Sequence, residues 1–142
     1  MYQPPPESLD WPTRELELGT LEDGRFTPWV DGQDLPAVLG YQGYWMLMPS
    51  FALAATAEDG SRECWFVRAE LVEAGGEAQL PLSQGVYPAG MMFEEGEGQL
   101  RAGPLFFVID EELIGTTQRL DVSVFGEGFS ASESLELSIV SP

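Results

Sequence analysis

Histidine, lysine and asparagine are absent from the sequence, and Cys64 is its only cysteine. Without histidine, neither a Ser-His-Asp triad, a Cys-His pair nor a His-containing zinc site can form. Without lysine, a Walker-type phosphate loop, a Schiff base and a Ser-Lys nucleophile pair are excluded as well. A single cysteine excludes an intramolecular disulfide, and its position in an apolar run predicts a small buried side chain. Most hydrolase and transferase mechanisms are therefore excluded, and we predict that the protein is not an enzyme.

Positive charge is scarce, because six arginines face 24 Asp and Glu residues and leave a formal net charge of −18. Such a charge repels phosphate backbones and anionic lipids, so nucleic-acid partners are not expected. The longest apolar run, from Tyr44 to Ala57, is interrupted by Pro49 and falls short of the roughly 20 residues that span a bilayer. We therefore expect no membrane insertion by this segment, and a protein partner or a second copy as the binding partner.

Long helical periods are missing too, while 16 glycines and 11 prolines are spread along the chain. This spacing of turn residues is typical of many short strands. Residues 1–13 carry four prolines and are predicted to form an extended tether. Residues 14–142 are predicted to form a single all-β domain, an antiparallel Ig-like β-sandwich of about eight to ten short strands.

Local turn and strand signals support this fold class. Asp23-Gly24 and Asp31-Gly32 are strong turn signals, and Gly19 is expected to end the first strand. The segments 120–124 and 135–139 both alternate apolar and polar residues, which predicts a closing hairpin. A short helical turn is expected from Asp110, whose side chain could cap it.

The segment from Tyr44 to Ala54 is apolar on both faces of its predicted strand. Such a strand is either central in a covered sheet or part of an interface. Pro49 cannot continue a regular ladder, which predicts a bulge or a strand that changes sheets. Tyr44, Met46 and Met48 are the candidate interface residues, because methionine adapts to irregular partner surfaces. Burial of the same residues under a loop or under the N-terminal tether is the open alternative.

Two further groups of residues are candidate ligand sites. Trp29 and Tyr41 lie beside turn residues and could expose aromatic rings that stack on a glycan or a peptide. Carboxylates in loops could converge on calcium, which prefers several oxygen ligands, and no other cofactor is expected. The calcium candidates are Asp31, Asp34, Asp110 and Glu111. A hydrolase that uses a pair of carboxylates is a third class, but no feature of the sequence selects the pair.

Three short motifs carry a resemblance to a known group of proteins: Leu16-Glu17-Leu18-Gly19-Thr20, Phe26-Thr27-Pro28-Trp29-Val30-Asp31-Gly32 and Gly40-Tyr41-Gln42-Gly43. They resemble a segment of exported Ig-like proteins of Gram-negative soil bacteria, in which E-L-G-T-G precedes F-x-P-L-x-D-G and G-x-Q-G-G. The end of the chain, from Gly115 to Val140, looks like the closing hairpin of an Ig-like sandwich. A Gly-His pair that often follows the Q-G step is replaced here by Tyr44-Trp45.

The resemblance implies an Ig-like fold and export, to the periplasm, the outer membrane or the exterior, and it implies no catalytic residues. The start of the sequence has no basic region and no apolar stretch, so either an export signal was removed or the protein is cytosolic. The leading hypothesis is a non-catalytic structural or protein-interaction module of an exported bacterial protein, with self-association as one mode. The alternative hypothesis is a ligand-binding module, with calcium in acidic loops or a glycan on exposed aromatics.

Overall fold

A computed structural model describes residues 12–73, 83–126 and 128–142. Within these ranges the protein contains strands and two single turns of 3-10 helix, at Tyr41–Gly43 and Glu111–Leu113. The all-β prediction is confirmed. Of the predicted tether at residues 1–13, residues 1–11 lie outside the described residues, and Thr13 already belongs to the first strand. The strands are β1 (Thr13–Glu15), β2 (Glu17–Glu22), β3 (Arg25–Pro28), β4 (Gln33–Pro36), β5 (Val38–Leu39), β6 (Trp45–Leu47), β7 (Ser50–Ala54), β8 (Arg62–Glu73), β9 (Ser83–Gly96), β10 (Gln99–Ala102), β11 (Phe107–Ile109), β12 (Thr117–Gly126) and β13 (Phe129–Val140).

Ten of these strands form one large sheet, and three form a small sheet. The large sheet has the order β1-β13-β12-β8-β9-β10-β7-β2-β3, with β4 also paired to β13, and the small sheet has the order β11-β6-β5. Neighbouring strands run antiparallel except at one edge of β13, where β1 and β4 both run parallel to it. The large sheet is therefore mixed rather than purely antiparallel, because two short early segments fill the free edge of the last strand.

The 13 strands outnumber the eight to ten that the sequence predicted, because brief interruptions divide several extended segments. Four strands are longer than the short strands expected: β8, β9, β12 and β13 have 10 to 14 residues each. The interruption at Pro49 follows from its missing N–H, which prevents a continuous ladder. The chain leaves the small sheet after Leu47 and enters the large sheet at Ser50. Of the two alternatives predicted at this proline, a bulge or a change of sheet, the structure shows the change of sheet.

Turn chemistry explains several other connections. Asp23 and Gly24 both have positive φ, 52° and 76°, which is the conformation that a tight two-residue hairpin requires. The side chain of Asp110 accepts a hydrogen bond from the backbone N–H of Glu112 and caps the second 3-10 turn, as predicted. Gly19 does not end its strand, because β2 continues to Glu22. A Cβ at Gly19 would clash with the backbone of β3, so glycine allows the close approach of the two strands.

Alternation along the long strands places one face of each in a common core. Trp65, Val67 and Ala69 of β8 are buried, and the tryptophan ring lies 4.9 Å from the ring of Phe93 and 4.8 Å from that of Phe129. Cys64 points to the opposite face and is exposed. The prediction that Cys64 is buried is therefore wrong, because the period of the strand outweighs the local apolar run. Buried residues of the small sheet belong to the same core cluster.

The two ends of the large sheet meet where β1 passes into β2. β1 pairs with β13, and β2 pairs with β7 at the other end of the strand order, with only Leu16 between them. Leu16 is 4% exposed and belongs to the core cluster. Because consecutive residues of one segment pair with strands from both ends, the large sheet curls around its core. This segment joins the two ends of the sheet, and we call the junction its closure.

Arg14 holds this closure in place. Its guanidinium forms a two-point ion pair with Asp59, at 3.2 Å to Oδ1 and 2.9 Å to Oδ2, and donates a third hydrogen bond to the carbonyl of Ala54. The same group lies 4.6 Å from the ring centroid of Phe129 and 5.4 Å from that of Trp65. One side chain thus links β1 to the end of β7, to the following loop and to the aromatic part of the core.

Removal of this clamp should destabilise the protein. We expect Arg14→Ala and Asp59→Ala each to lower the free energy of unfolding by about 2–4 kcal/mol, because each leaves a largely buried charge without its partner. The double variant should be less destabilised than the sum of the two changes. The measurement is urea denaturation of all four proteins as a double-mutant cycle. The matched control is the exposed pair Arg62–Glu94, at 3.7 Å, whose cycle should give a coupling below about 0.5 kcal/mol.

The clamp should also lose its effect in acid. Burial alone would raise the pKa of Asp59, but hydrogen bonds from Arg14 and the Thr56 backbone, together with the arginine charge, lower the pKa below its ordinary 3.8. A lowered pKa in the folded state stabilises the protein above the ordinary value, and this stabilisation is lost as pH falls through the folded-state pKa. The difference in free energy of unfolding between the parent and Asp59→Asn should therefore be constant from pH 7 to 5 and shrink below pH ~4. An unchanged difference at pH ~3 would contradict this account.

Candidate functional site

The predicted interface strand is the central strand of the small sheet. β6 pairs with β5 on one side and with β11 on the other. The register aligns Val38, Met46 and Val108 in one row across all three strands. Next to this row, Leu47 lies opposite Phe107, and both are 1% exposed and part of the core. The small sheet therefore has one face in the core and one face outward.

The outward face of the small sheet is apolar on all three strands. Tyr44 is 56% exposed, Phe106 is 59% exposed, and Met46 and Met48 are half-buried. Sheets that face water on one side normally carry polar residues there. We call this surface the small-sheet face and define it by Val38, Tyr44, Met46, Met48, Phe106 and Val108.

The turn between β5 and β6 shapes one end of the small-sheet face. The N–H of Gly40 donates to the carbonyl of Tyr44 at 2.8 Å, and Gln42 and Gly43 take positive φ values of 66° and 78°. A Cβ at Gly40 would collide with the end of the Met46 side chain. Glycine at this position therefore lets Met46 lie flat over the turn, which accounts for its partial burial.

Exposed apolar residues are concentrated at this sheet. Of the seven large hydrophobic residues that are exposed in the described part of the chain, five belong to the small sheet or adjoin it: Val38, Leu39, Tyr44, Phe106 and Val108. Single exposed hydrophobic residues are ordinary, but a contiguous group of this kind marks an interaction site in many proteins. This concentration is what distinguishes the small-sheet face from the rest of the described surface.

A small cleft continues the small-sheet face toward β2. The cleft has a volume of about 210 Å³, and its lining includes Val38 and Met48 of the face together with Trp29, Leu35 and Pro104. Ser50 also lines it, is 1% exposed, and has a hydroxyl group with no hydrogen-bond partner in the described residues. Sites for drug-sized ligands usually measure about 300–1,000 Å³, so this cleft suits one large side chain.

The chain segments that build the small-sheet face contain acidic residues and no arginine. The stretches 27–61 and 102–118 include no Arg, and β11 is followed directly by Asp110, Glu111 and Glu112. All three carboxylates are exposed. At the cleft, Glu22 contributes a further carboxylate, with Arg25 as its cross-strand neighbour. The border of the face at β11 is therefore negatively charged, and the segments 27–61 and 102–118 contain no arginine that could neutralise this charge.

The two predicted aromatic ligand residues have different outcomes. Trp29 is only 7% exposed, and its indole N–H donates to Oγ1 of Thr20 at 2.9 Å. Its predicted exposure is wrong, because its backbone N–H bonds to Leu18 and extends the ladder of β2, which directs the ring inward before the turn at Asp31. Tyr41 lies in the first 3-10 turn, and its side chain lies outside the described part of the structure.

The four calcium candidates fall into two separate groups. Asp31 and Asp34 lie at or just before β4, on one edge of β13, whereas Asp110 and Glu111 precede β12, which pairs with the other edge. One oxygen of Asp31 already accepts the backbone N–H of Glu136 at 2.7 Å. In residues 12–73, 83–126 and 128–142, no group of three or more Asp, Glu or Cys side chains is placed to hold a metal ion. Calcium binding stays a prediction, without a shared site for these four residues in the structure.

Sequence reasoning identified the central strand of the small-sheet face but missed its neighbours. Val38, Phe106 and Val108 were not among the predicted interface residues, although Phe106 and Val108 alternate with inward-facing residues in the apolar run of five from Leu105 to Ile109. A run that is apolar on both strand faces is the same signal that indicated Tyr44, Met46 and Met48. Only the register shows that these runs are neighbours.

Comparisons with known proteins add no relative to this picture. No protein-family model matches the chain, and neither the curated proteins nor the solved structures include a match. In the part of the chain that the structure describes, no helix is long and apolar enough to cross a bilayer. The class of protein that the structure defines is an all-β protein with a large mixed sheet and a small antiparallel one.

Substitutions on the two sides of β11 should separate surface from core. We expect Val108→Thr, on the outward side, to change the free energy of unfolding by less than about 1 kcal/mol. Phe107→Ala, one residue away on the inward side, should lower it by about 3–5 kcal/mol through loss of burial and formation of a cavity. Urea denaturation measures both. A loss for Val108→Thr as large as that for Phe107→Ala would mean that other residues of the chain cover the face.

Proposed function

We propose that the protein is a non-catalytic protein-interaction module of an exported bacterial protein, and that it binds a partner protein through the small-sheet face. The observation that carries this proposal is the apolar row of Val38, Met46 and Val108 across three paired strands, in which Val38 and Val108 are exposed and Met46 is half-buried. Burial of apolar area is the main driving force of most protein association. A surface kept apolar on a chain with a net charge of −18 needs a role other than solubility.

An Ig-like β-sandwich is the form of the fold that we propose. Support comes from the curled large sheet, from the single core cluster and from the long closing hairpin of β12 and β13. Export is proposed from the sequence resemblance described above. A binding surface at the border of a rigid sandwich is consistent with such a module, because the strands hold the contact residues in place.

Self-association through the same face is the second candidate. Two copies could pack their small sheets face to face, since an isologous contact uses the same patch twice. Net charge counts against it, because each copy carries −18 and the segments that build the face supply no arginine. We therefore propose a different protein as the partner.

A random peptide library displayed on phage tests the proposal with the intact protein as bait. The parent should enrich a set of peptides, and Met46→Glu/Val108→Glu should lose them, because the two carboxylates interrupt the apolar row. Met92→Glu is the matched control, since Met92 is 50% exposed on the large sheet, and it should retain the same peptides. Circular dichroism and urea denaturation show whether each variant is folded.

The alternative occupants have separate readouts. Peptide enrichment that is absent, or that is unaffected by the double change in the face, would contradict the proposal. Light scattering tests self-association directly. A parent dimer that Met46→Glu/Met48→Glu converts to a folded monomer would replace the proposed partner by a second copy. Peptides enriched only by a chain that lacks residues 1–11 would identify that segment as the occupant, and would likewise overturn the proposal.

A further inference from the structure

We infer that the partner of the small-sheet face presents large apolar side chains flanked by arginine or lysine. This inference rests on the proposed function and names the chemistry of the partner. It combines two observations about the same surface: the centre of the face is apolar, and its border at β11 is negative. A partner that complements both must be apolar at the centre and cationic at the edge.

The negative border follows directly from the chain order. Ile109 ends β11 opposite Trp45, and the next residues are the three exposed acids at 110–112. Asp110 is oriented by its bond to the N–H of Glu112. In the ranges 12–73, 83–126 and 128–142, the four ion pairs involve Arg14, Arg62, Arg68 and Arg119, and the acids of this border take part in none of them.

The cleft beside Val38 and Met48 supplies a position for one anchoring side chain of the partner. Its walls are apolar at Leu35 and Pro104, and the unpartnered hydroxyl of Ser50 lies in its lining. Buried anchors of this kind dominate the energy of protein interfaces, while charges at the edge chiefly set specificity and association rate. We therefore assign affinity to the cleft and the apolar row, and selection of a cationic partner to the border.

Synthetic peptides chosen from the enriched set test the inference. Each is compared with a version in which its Arg and Lys residues are changed to Glu and with one in which its large apolar residues are changed to Ser. Binding is measured by fluorescence anisotropy at low salt. We expect both changes to weaken binding at least tenfold. We also expect the affinity of the unchanged peptides to fall as salt is raised, because salt screens the border charges.

Charge variants of the protein supply the matched comparison. Glu111→Gln/Glu112→Gln removes two acids of the border and should weaken binding of the cationic peptides by about three- to tenfold at low salt. Glu95→Gln/Glu97→Gln, at the hairpin of β9 and β10, makes the same change in net charge and should have less than a twofold effect. At about 0.5 M salt the two variants should bind alike.

The outcomes separate this inference from the function on which it rests. Peptides without cations that bind in a face-dependent manner would overturn the inference and leave the interaction module in place. If the two charge variants weaken peptide binding equally, the inference is also overturned. The affinity would then depend on the net charge of the protein and not on the acidic border of the face. The absence of any face-dependent peptide would overturn both.

Discussion

The ion pair between Arg14 and Asp59 lies where the two ends of the large sheet meet, and it links β1 to the loop that follows β7. β1 contributes only three residues to its ladder with β13, so the contacts of its Arg14 side chain add to a short row of backbone hydrogen bonds. The guanidinium adds two bonds to Asp59, one to Ala54 and contacts with the faces of Phe129 and Trp65. With β1 held in this way, β2 is directed to the opposite end of the sheet, and the sheet encloses the core that all other strands share.

A second constraint, the proline at position 49, separates the small sheet from that closed structure. Because Pro49 cannot donate a ladder hydrogen bond, one extended segment contributes β6 to the small sheet and β7 to the large one. The inner face of the small sheet then packs on the core, and its outer face has no layer above it among the described residues. The candidate interaction surface lies on this outer face, whereas β7, in the large sheet, is buried from Ser50 to Leu53.

Local signals in the sequence predicted much of this architecture. The turn at Asp23-Gly24, the cap at Asp110, the closing hairpin and the change of sheets at Pro49 all depend on residues close together in the chain, and all are confirmed. Predictions of burial failed where neighbours in space mattered more. Trp29 was expected at the surface and Cys64 in the core, and both are reversed, because strand phase rather than local composition sets which face a side chain occupies.

The sequence by itself determined the all-β class, the acidic surface, the absence of histidine and lysine chemistry, and the two-faced strand that contains Met46. These properties follow from composition and from a period of two residues, which the backbone imposes wherever it is extended. The tertiary structure alone decided that Val38 and Val108 lie beside Met46, and that the carboxylates at Asp31 and Asp110 form no shared metal-holding group among the described residues. Strand pairing places Met46 beside Val38, 8 positions earlier in the chain, and beside Val108, 62 positions later. No local sequence pattern specifies which of these distant segments pair or in which register.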